Sequence, residues 1–262
     1  MGVKTPITLQ KAQALFPHFS LSNLQETSDG VMDTTYLLEN YILKHYERNI
    51  SKTILNDAKI LELLTSHGLN TPKHVASSQG WHLYTRLKGD IPKNISYFHI
   101  QALARFFSTM HSIKHTNSQN KYFLQKYKLS NILSYCKKNH YFYYKKLQSL
   151  QHFQLKNDGF IHGDLFKDNT LFNGEKIAVF DFIDGGLGAF SFDIAVALLS
   201  FNTNKRRSYI KLFLNTYNQN APHKITFTIL EKEIKNAAKL YALLRLDKYK
   251  NPKKAKELAN FW

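Results

Sequence analysis

The chain has 262 residues, 43% of them hydrophobic and 14% aromatic, which is enough to bury the core of one large domain or two lobes and excludes wholesale disorder. The net charge of +17 would attract polyanions, but the lysines are spread along the chain without a recognition motif, so we expect no nucleic-acid partner. The single cysteine, Cys136, excludes an internal disulfide, and no apolar run reaches the roughly 20 residues that span a bilayer, so we expect a cytoplasmic protein with no membrane partner.

The first third of the chain is predicted to be rich in strands. Val31–Glu39 and Tyr41–Tyr46 carry β-branched and aromatic residues on either side of a tight turn, which predicts a hairpin. Leu55–His67 has apolar residues at helical spacing, and Gly68 after it is typical of a helix end. Trp81–Leu87 predicts another short strand.

The rest of the chain is predicted to be mainly helical. Amphipathic patterns predict five helices, over Tyr97–Ile113, Leu129–Leu150, Phe190–Phe201, Arg207–Asn218 and Ile229–Lys248. Three short apolar segments interrupt them and predict strands, at 160–162, 170–172 and 176–182. We therefore predict an α+β chain of two lobes, residues 1–88 with the hinge and residues 89–262, and a cleft between them as the binding site.

The most informative segment is the loop that follows the first of these short strands. It carries Asp164 and, five positions later, Asn169, and a later apolar strand ends in Asp181. Phosphoryl transfer needs a carboxylate that orients the attacking hydroxyl and hard oxygen ligands for Mg²⁺. Asp164 is therefore the predicted catalytic residue, and Asn169 and Asp181 are the predicted Mg²⁺ ligands. An Asx turn would explain an Asp–Asn loop alone, but the joint pattern favours catalysis.

Two further residues are predicted to support this loop. His162 lies two positions before Asp164, and we expect it to shape the loop through hydrogen bonds to the backbone. Asp193 lies at the start of a predicted helix, where a carboxylate can also act as a simple cap. We expect both residues to brace the loop rather than to take part in the chemistry.

The first lobe is predicted to bind the nucleotide. Lys44 lies inside an apolar strand, where a charge is costly unless it meets an anion, so we expect it to bind the α- and β-phosphates of ATP. Gly30, Thr34 and Thr35, which precede this strand, are expected to cover the phosphates. Arg86, near the hinge, is the last candidate for a nucleotide contact.

Asp57 is the predicted ion-pair partner of Lys44. Asp57, Ile60 and Leu64 recur at helical spacing and share one helix face, so Asp57 should point into the lobe. Glu62 lies off this face. The pattern therefore favours Asp57 over Glu62, although its side chain is one carbon shorter.

With these residues in place, the chain resembles the aminoglycoside phosphotransferase and choline kinase superfamily. The motifs that carry the resemblance are His162-Gly163-Asp164, Phe180-Asp181-Phe182 and Phe192-Asp193-Ile194-Ala195. Asp164-Leu165-Phe166-Lys167-Asp168-Asn169 is similar to the D-L-F-R-D-N motif of type II homoserine kinases. This resemblance implies a protein kinase-like fold, ATP and Mg²⁺ as cofactors, and homoserine as the small-molecule hydroxyl acceptor that is converted to O-phosphohomoserine.

A homoserine acceptor would need a cation for its carboxylate and an acid for its ammonium group. Lys167 or Arg245 could supply the cation, and Asp184 or Asp168 the acid. The alternatives are a kinase of choline, an amino sugar, thiamine or an aminoglycoside, and an inactive kinase-like binding protein. A monomer or a homodimer is compatible with these expectations.

Overall fold

The structure is a computed structural model that describes residues 3–27, 33–48, 51–114, 121–201, 207–249 and 252–261. The chain divides into two compact units. The first unit comprises Met1–Gly89 together with Ala178–Ile183, and the second comprises Asp90–Ile177 and Asp184–Trp262. The short segment Ala178–Ile183 therefore brings Asp181 into the first unit, far along the chain from the rest of that unit.

The first unit is built on a five-stranded antiparallel sheet in the order β1-β2-β3-β5-β4. Its strands are β1 Gln25–Glu26, β2 Thr34–Leu37, β3 Tyr41–His45, β4 His74–Ser78 and β5 Trp81–Thr85. The predicted hairpin is present, since Leu37 of β2 lies opposite Ile42 of β3. The described residues of this unit also form two helices, α1 Leu9–Leu15 and α2 Ser51–Ser66. Gly68 follows α2 with a φ of 79°, a conformation that favours glycine.

The two faces of this sheet differ in their chemistry. Leu43 lies opposite Leu83, and these residues face an apolar core that includes Trp81 and residues of α1. Lys44 lies opposite His82, one position along each strand. Because side chains alternate between the faces of a sheet, the second face is polar.

The second unit contains seven helices within its described residues. They are α3 Tyr97–Ser112, α4 Leu129–Asn139, α5 Tyr141–Leu147, α6 Phe190–Ser200, α7 Arg207–Asn220, α8 Phe227–Tyr249 and α9 Pro252–Lys256. The prediction of one helix over Leu129–Leu150 was wrong. His140, with φ −141° and ψ 53°, ends α4, and a 3-10 turn follows α5. The residues around the break, Asn139 to Tyr144, are weak helix formers. Among the helices described, none is long and apolar enough to cross a membrane.

Two small strand pairs surround the loop that carries Asp164. β6 (Gly159–Ile161) precedes the loop and pairs with β9 (Gly186–Gly188), and β7 (Thr170–Asn173) follows it and pairs with β8 (Lys176–Val179). The strand predicted to run to residue 182 is therefore shorter. Asp181 has a φ of 68°, which is incompatible with an extended strand. The buried helix α6 begins soon after β9, with Asp193 in its first turn.

Candidate active site

Lys44 and Asp181 form an ion pair in the first unit. The Lys44 Nζ atom donates to Asp181 Oδ1 at 2.8 Å. Burial by itself would lower the pKa of Lys44, but the charge and hydrogen bond of Asp181, together with Asp33 and Tyr84, outweigh burial and the pKa is raised, so the ammonium stays charged. The side chain of Asp181 is 37% exposed, which leaves room for a further ligand. Its left-handed backbone is uncommon outside glycine and is typical of functional sites.

The two threonines before β3 have different surroundings. Thr35 lies opposite Lys44 in the strand register and therefore on the same sheet face. Thr34 is fully buried, and its hydroxyl accepts two backbone N–H groups of the N-terminal segment and donates to Glu47 at 2.7 Å. Thr34 thus ties the chain start to the sheet. Gly30 lies outside the described residues, and the nucleotide roles of all three stay predictions.

Arg86 follows β5 and is exposed. Its Nη1 atom donates to the carbonyl oxygen of Leu38 at 2.7 Å, and its backbone N–H donates to Asn40 at 3.0 Å. Both bonds hold the turn between β2 and β3. A contact between Arg86 and the nucleotide remains a prediction.

Asp57 lies inside the first unit, as expected from its helix face. It is 4% exposed, whereas Glu62 on the same helix is exposed. Its carboxylate is close enough to Tyr46 and Tyr84 to contribute, after burial, to the raised pKa of both hydroxyls. The carboxylate that bonds Lys44 at 2.8 Å is that of Asp181, and a direct pair between Lys44 and Asp57 stays a prediction.

Asp193 holds the loop that begins at His162. Its fully buried carboxylate accepts the backbone N–H of His162 at 2.9 Å and that of Gly163 at 2.7 Å, one on each oxygen. Gly163 has a φ of 75°, and a Cβ at this position would collide with the ring of Phe123. The residue before Asp164 must therefore be glycine in this conformation.

Asn169 folds back on the loop and closes it. Its Nδ2 atom donates to the carbonyl oxygen of Asp164 at 2.8 Å, so Oδ1 is the atom of Asn169 that can face a cation. The N–H of Asp164 donates to Nδ1 of His162 at 3.3 Å. The N–H of Lys167 donates to the Ser200 hydroxyl at 2.7 Å. Both ends of the loop are thus held by hydrogen bonds, and the Asp164 side chain lies between them, half-buried.

Residues distant in sequence complete the surroundings of this loop in the second unit. The hydroxyl of Tyr241 donates to the carbonyl of Gly163, and Lys126 donates to the carbonyls of Asp184 and Gly185. Burial raises the pKa of Tyr241, and the negative charge of Asp164 adds to this, so the phenol stays protonated. We did not predict Tyr241 or Lys126 as site residues, because no short motif marks them.

The predicted cation ligands have the right chemistry for Mg²⁺. Asn169 offers an amide oxygen, and Asp181 offers a partly exposed carboxylate. Mg²⁺ prefers hard oxygen ligands, and it is commonly bound by one or two carboxylates together with substrate phosphates and water. Each residue therefore offers an oxygen of the kind that Mg²⁺ prefers, and their joint role as its ligands stays a prediction.

Comparisons with known proteins agree with this geometry. Residues 23–227 match APH, the phosphotransferase enzyme family. A homoserine kinase from Methylobacillus flagellatus is 23% identical over an alignment of 254 residues, and the match covers 85% of this chain and 79% of the relative.

Solved structures of other kinases share the fold. A GDP complex of a variant aminoglycoside 2'-phosphotransferase-IIIa has a TM-score of 0.70 at 16% identity and covers 95% of this chain and 92% of its own. Amicoumacin kinase hAmiN, in complex with AMP-PNP, Ca²⁺ and Ami, has a TM-score of 0.66 at 18% identity. The match covers 96% of this chain and 91% of the kinase chain. These likenesses confirm the predicted protein kinase-like α+β fold. Because the family match extends over most of its length, the chain belongs to the APH family of phosphotransferase enzymes.

Proposed function

We propose that this protein is an ATP- and Mg²⁺-dependent kinase that transfers the γ-phosphoryl group of ATP to the hydroxyl of L-homoserine. The products are ADP and O-phospho-L-homoserine. The observation that carries the proposal is the geometry of the loop from His162 to Asn169, in which Asp193 and Asn169 hold the backbone on both sides of Asp164. Membership of the APH family supports the reaction type, and the homoserine kinase relative supports the acceptor.

Asp164 is the proposed catalytic residue. Its carboxylate orients the acceptor hydroxyl and accepts its proton as the bond from oxygen to phosphorus forms and the bond to ADP breaks. Fixing the loop in advance reduces the entropy that must be lost when the acceptor is aligned. His162 and Asp193 act through the backbone and serve as positioning residues.

Lys44 is the proposed ligand of the α- and β-phosphates. Its raised pKa keeps the ammonium charged at neutral pH, which anion binding requires. Asn169 and Asp181 would hold Mg²⁺. When bound, the ion would offset the negative charge of the phosphates. The bond from Lys44 to one oxygen of Asp181 orients that carboxylate.

Asp184 and Lys167 are the proposed contacts for the two charges of homoserine, its ammonium group and its carboxylate. A cationic alcohol such as choline or an aminoglycoside is the second candidate acceptor. The observation that favours it is the shared fold with structures that carry the name aminoglycoside phosphotransferase. A choline-like acceptor needs no cationic partner, so the two candidates differ in their dependence on Lys167.

An acceptor screen tests this proposal. The purified protein is incubated with ATP, Mg²⁺ and one alcohol at a time, namely homoserine, choline, thiamine, an amino sugar or an aminoglycoside, and ADP release is followed. We expect homoserine to raise the rate at least about tenfold over the acceptor-free rate, with O-phosphohomoserine identified by mass spectrometry. Strong stimulation by another alcohol and none by homoserine would overturn the proposed acceptor.

Replacement of Asp164 tests the mechanism. Asp164→Asn keeps the shape of the side chain but removes the base, so we expect kcat to fall by about 10²- to 10⁴-fold while ATP affinity stays within about twofold. Glu175→Gln is the matched control, because Glu175 is an exposed acid in the turn after β7. Turnover of Asp164→Asn at the rate of the control would rule out the role given to Asp164.

A further inference from the structure

Two buried tyrosines lie on the polar face of the sheet in the first unit. The hydroxyls of Tyr46 and Tyr84 are 3.0 Å apart, and the residues are 8% and 5% exposed. The rings of His82 and His74 pack edge-on against them, with centroids 5.5 and 5.1 Å away. A buried hydroxyl needs a hydrogen-bond partner, and the pair supplies one bond. The tyrosine that accepts this bond keeps its own hydrogen to donate elsewhere.

Asp57 has the chemistry to accept that hydrogen. Ile54, one helical turn earlier on α2, packs in a buried cluster with Tyr46, so this helix face lies against the polar face of the sheet. Asp57 shares that face and is 4% exposed. Burial raises the pKa of Tyr46 and Tyr84, and the charge of Asp57 contributes in both cases, so both hydroxyls stay protonated donors.

Lys44 lies against the ring of Tyr46. Its Nζ atom is 4.9 Å from the centroid of the Tyr46 ring, a distance at which a cation and an aromatic face attract each other. Lys44 and Tyr46 are two positions apart, which places both side chains on the polar face of the sheet. An ammonium group has donors and no acceptor, so the hydroxyl hydrogen that is not used between the two tyrosines cannot bond Lys44 and is available to Asp57.

We propose that Tyr46 and Tyr84 are positioning residues that link the ammonium of Lys44 to the buried carboxylate of Asp57. Aspartate is one methylene shorter than glutamate, and the tyrosine pair makes up for the shorter reach from α2. Lys44 thus has two anchors, the tyrosine pair and Asp181. If Asp181 held a cation, the tyrosine pair would keep Lys44 in place. This inference rests on the proposed function, because it assigns Lys44 to the nucleotide phosphates.

Single hydroxyl deletions test this link. Tyr46→Phe and Tyr84→Phe keep the rings and remove the hydroxyls, and we expect each to raise the KM for ATP about tenfold. Tyr36→Phe is the control. Tyr36 is 2% exposed on the opposite face of the same sheet, and its hydroxyl accepts the N–H of Ile7 at 3.2 Å. We expect this control to lose stability but to change the KM by less than about twofold. Equal changes in all three variants would overturn the proposal.

A double-mutant cycle and a rescue separate positioning from a general structural role. Asp57→Asn combined with Tyr84→Phe should lose no more than the worse single variant, since both changes break one chain of interactions. Asp57→Glu in the Tyr84→Phe background brings the carboxylate closer to Lys44 and should recover ATP affinity by at least about threefold. Additive losses together with no rescue would refute the link.

Calorimetric measurement of AMP-PNP binding to the same variants distinguishes a failure of the proposed function from a failure of the tyrosine link. An unmodified protein that binds AMP-PNP but turns over none of the acceptors would contradict the proposed function. Unchanged AMP-PNP affinity in Tyr46→Phe and Tyr84→Phe would contradict the tyrosine link, whether or not the protein is active.

Discussion

Asp193 is the residue whose replacement probes the geometry of the loop most directly. Its carboxylate accepts the N–H of Gly163 on Oδ1 and the N–H of His162 on Oδ2. His111 contacts Oδ2 through Nε2 at 3.2 Å. Asp193→Asn keeps the volume of the side chain, but it replaces one accepting oxygen by an NH₂ group. Whichever way the amide turns, a donor then faces a donor inside the protein.

The structure gives an order of magnitude for the cost. Burial lowers the pKa of His111, and this outweighs Asp193, so the imidazole is neutral. Because the carboxylate of Asp193 can only accept, the proton of the neutral imidazole is assigned to Nε2, and Nδ1, 2.9 Å from the Tyr217 hydroxyl, accepts from that hydroxyl. All three groups around Asp193 are therefore donors. Losing one charge-assisted hydrogen bond and burying an unsatisfied donor should lower the free energy of unfolding by about 3–5 kcal/mol.

Urea denaturation followed by circular dichroism measures this cost, and Asp158→Asn is the matched control. Asp158 is exposed and accepts one N–H, from Phe190 at 3.1 Å at the start of α6. Asparagine can still accept that bond, so we expect the control to lose less than about 1 kcal/mol. Asp193→Asn should also lose more kinase activity than its folded fraction explains. Equal stability of Asp193→Asn and Asp158→Asn would refute the reasoning.

Three further predictions follow from backbone geometry, charge and burial. Gly163→Ala should lower the free energy of unfolding by about 2 kcal/mol more than Gly174→Ala. Both glycines have a positive φ, but a Cβ would collide with Phe123 at Gly163 and would meet nothing within 4 Å at Gly174. Equal losses in urea denaturation would contradict this prediction. Lys44→Met should raise the KM for ATP about 10- to 100-fold, and Lys73→Met, at an exposed site of the same unit, should not; equal KM values would contradict it.

Burial lowers the pKa of His82 to about 4. In the unfolded chain this histidine binds its proton at about pH 6.5, so protonation favours the unfolded state. The free energy of unfolding therefore falls as the pH drops from about 6.5 to about 4. Because the ring is only half-buried, we expect His82→Gln to remove about 1–2 kcal/mol of this loss. An unchanged pH dependence of the free energy of unfolding in His82→Gln would contradict the prediction.

The position of the loop between two short strands could be predicted because the residues that mark it are near neighbours in the chain. The segment from His162 to Asn169 combines strand-like flanks with polar residues at fixed spacing, and the structure closes it with local bonds such as the one from Asn169 to Asp164. The burial of Asp57 could also be predicted, because the buried residues of a helix recur with the helical period. In both cases a short-range pattern determines the local structure.

Long-range pairings could not be predicted in this way. Lys44 and Asp181 are 137 positions apart, and nothing near Lys44 indicates which carboxylate it meets. Tyr241 bonds the loop from 78 positions away. The break at His140 was missed because the amphipathic pattern continues through it, and the break shows only in the backbone angles. β4 and α1 were missed because both are short, and β4 lacks a clear apolar alternation.

The two faces of the sheet in the first unit should respond differently to substitution. Leu43 and Lys44 are adjacent, yet they serve opposite faces, and the same alternation places Leu83 beside His82 and Tyr84. Apolar burial on one face stabilises the unit in proportion to the area removed from water. The polar face buries hydroxyls, imidazoles and a charge, and the removal of such groups from water costs free energy. Hydrogen bonds among these groups offset that cost. Changes on the apolar face should therefore lower stability first, whereas changes around Lys44 should alter nucleotide use first.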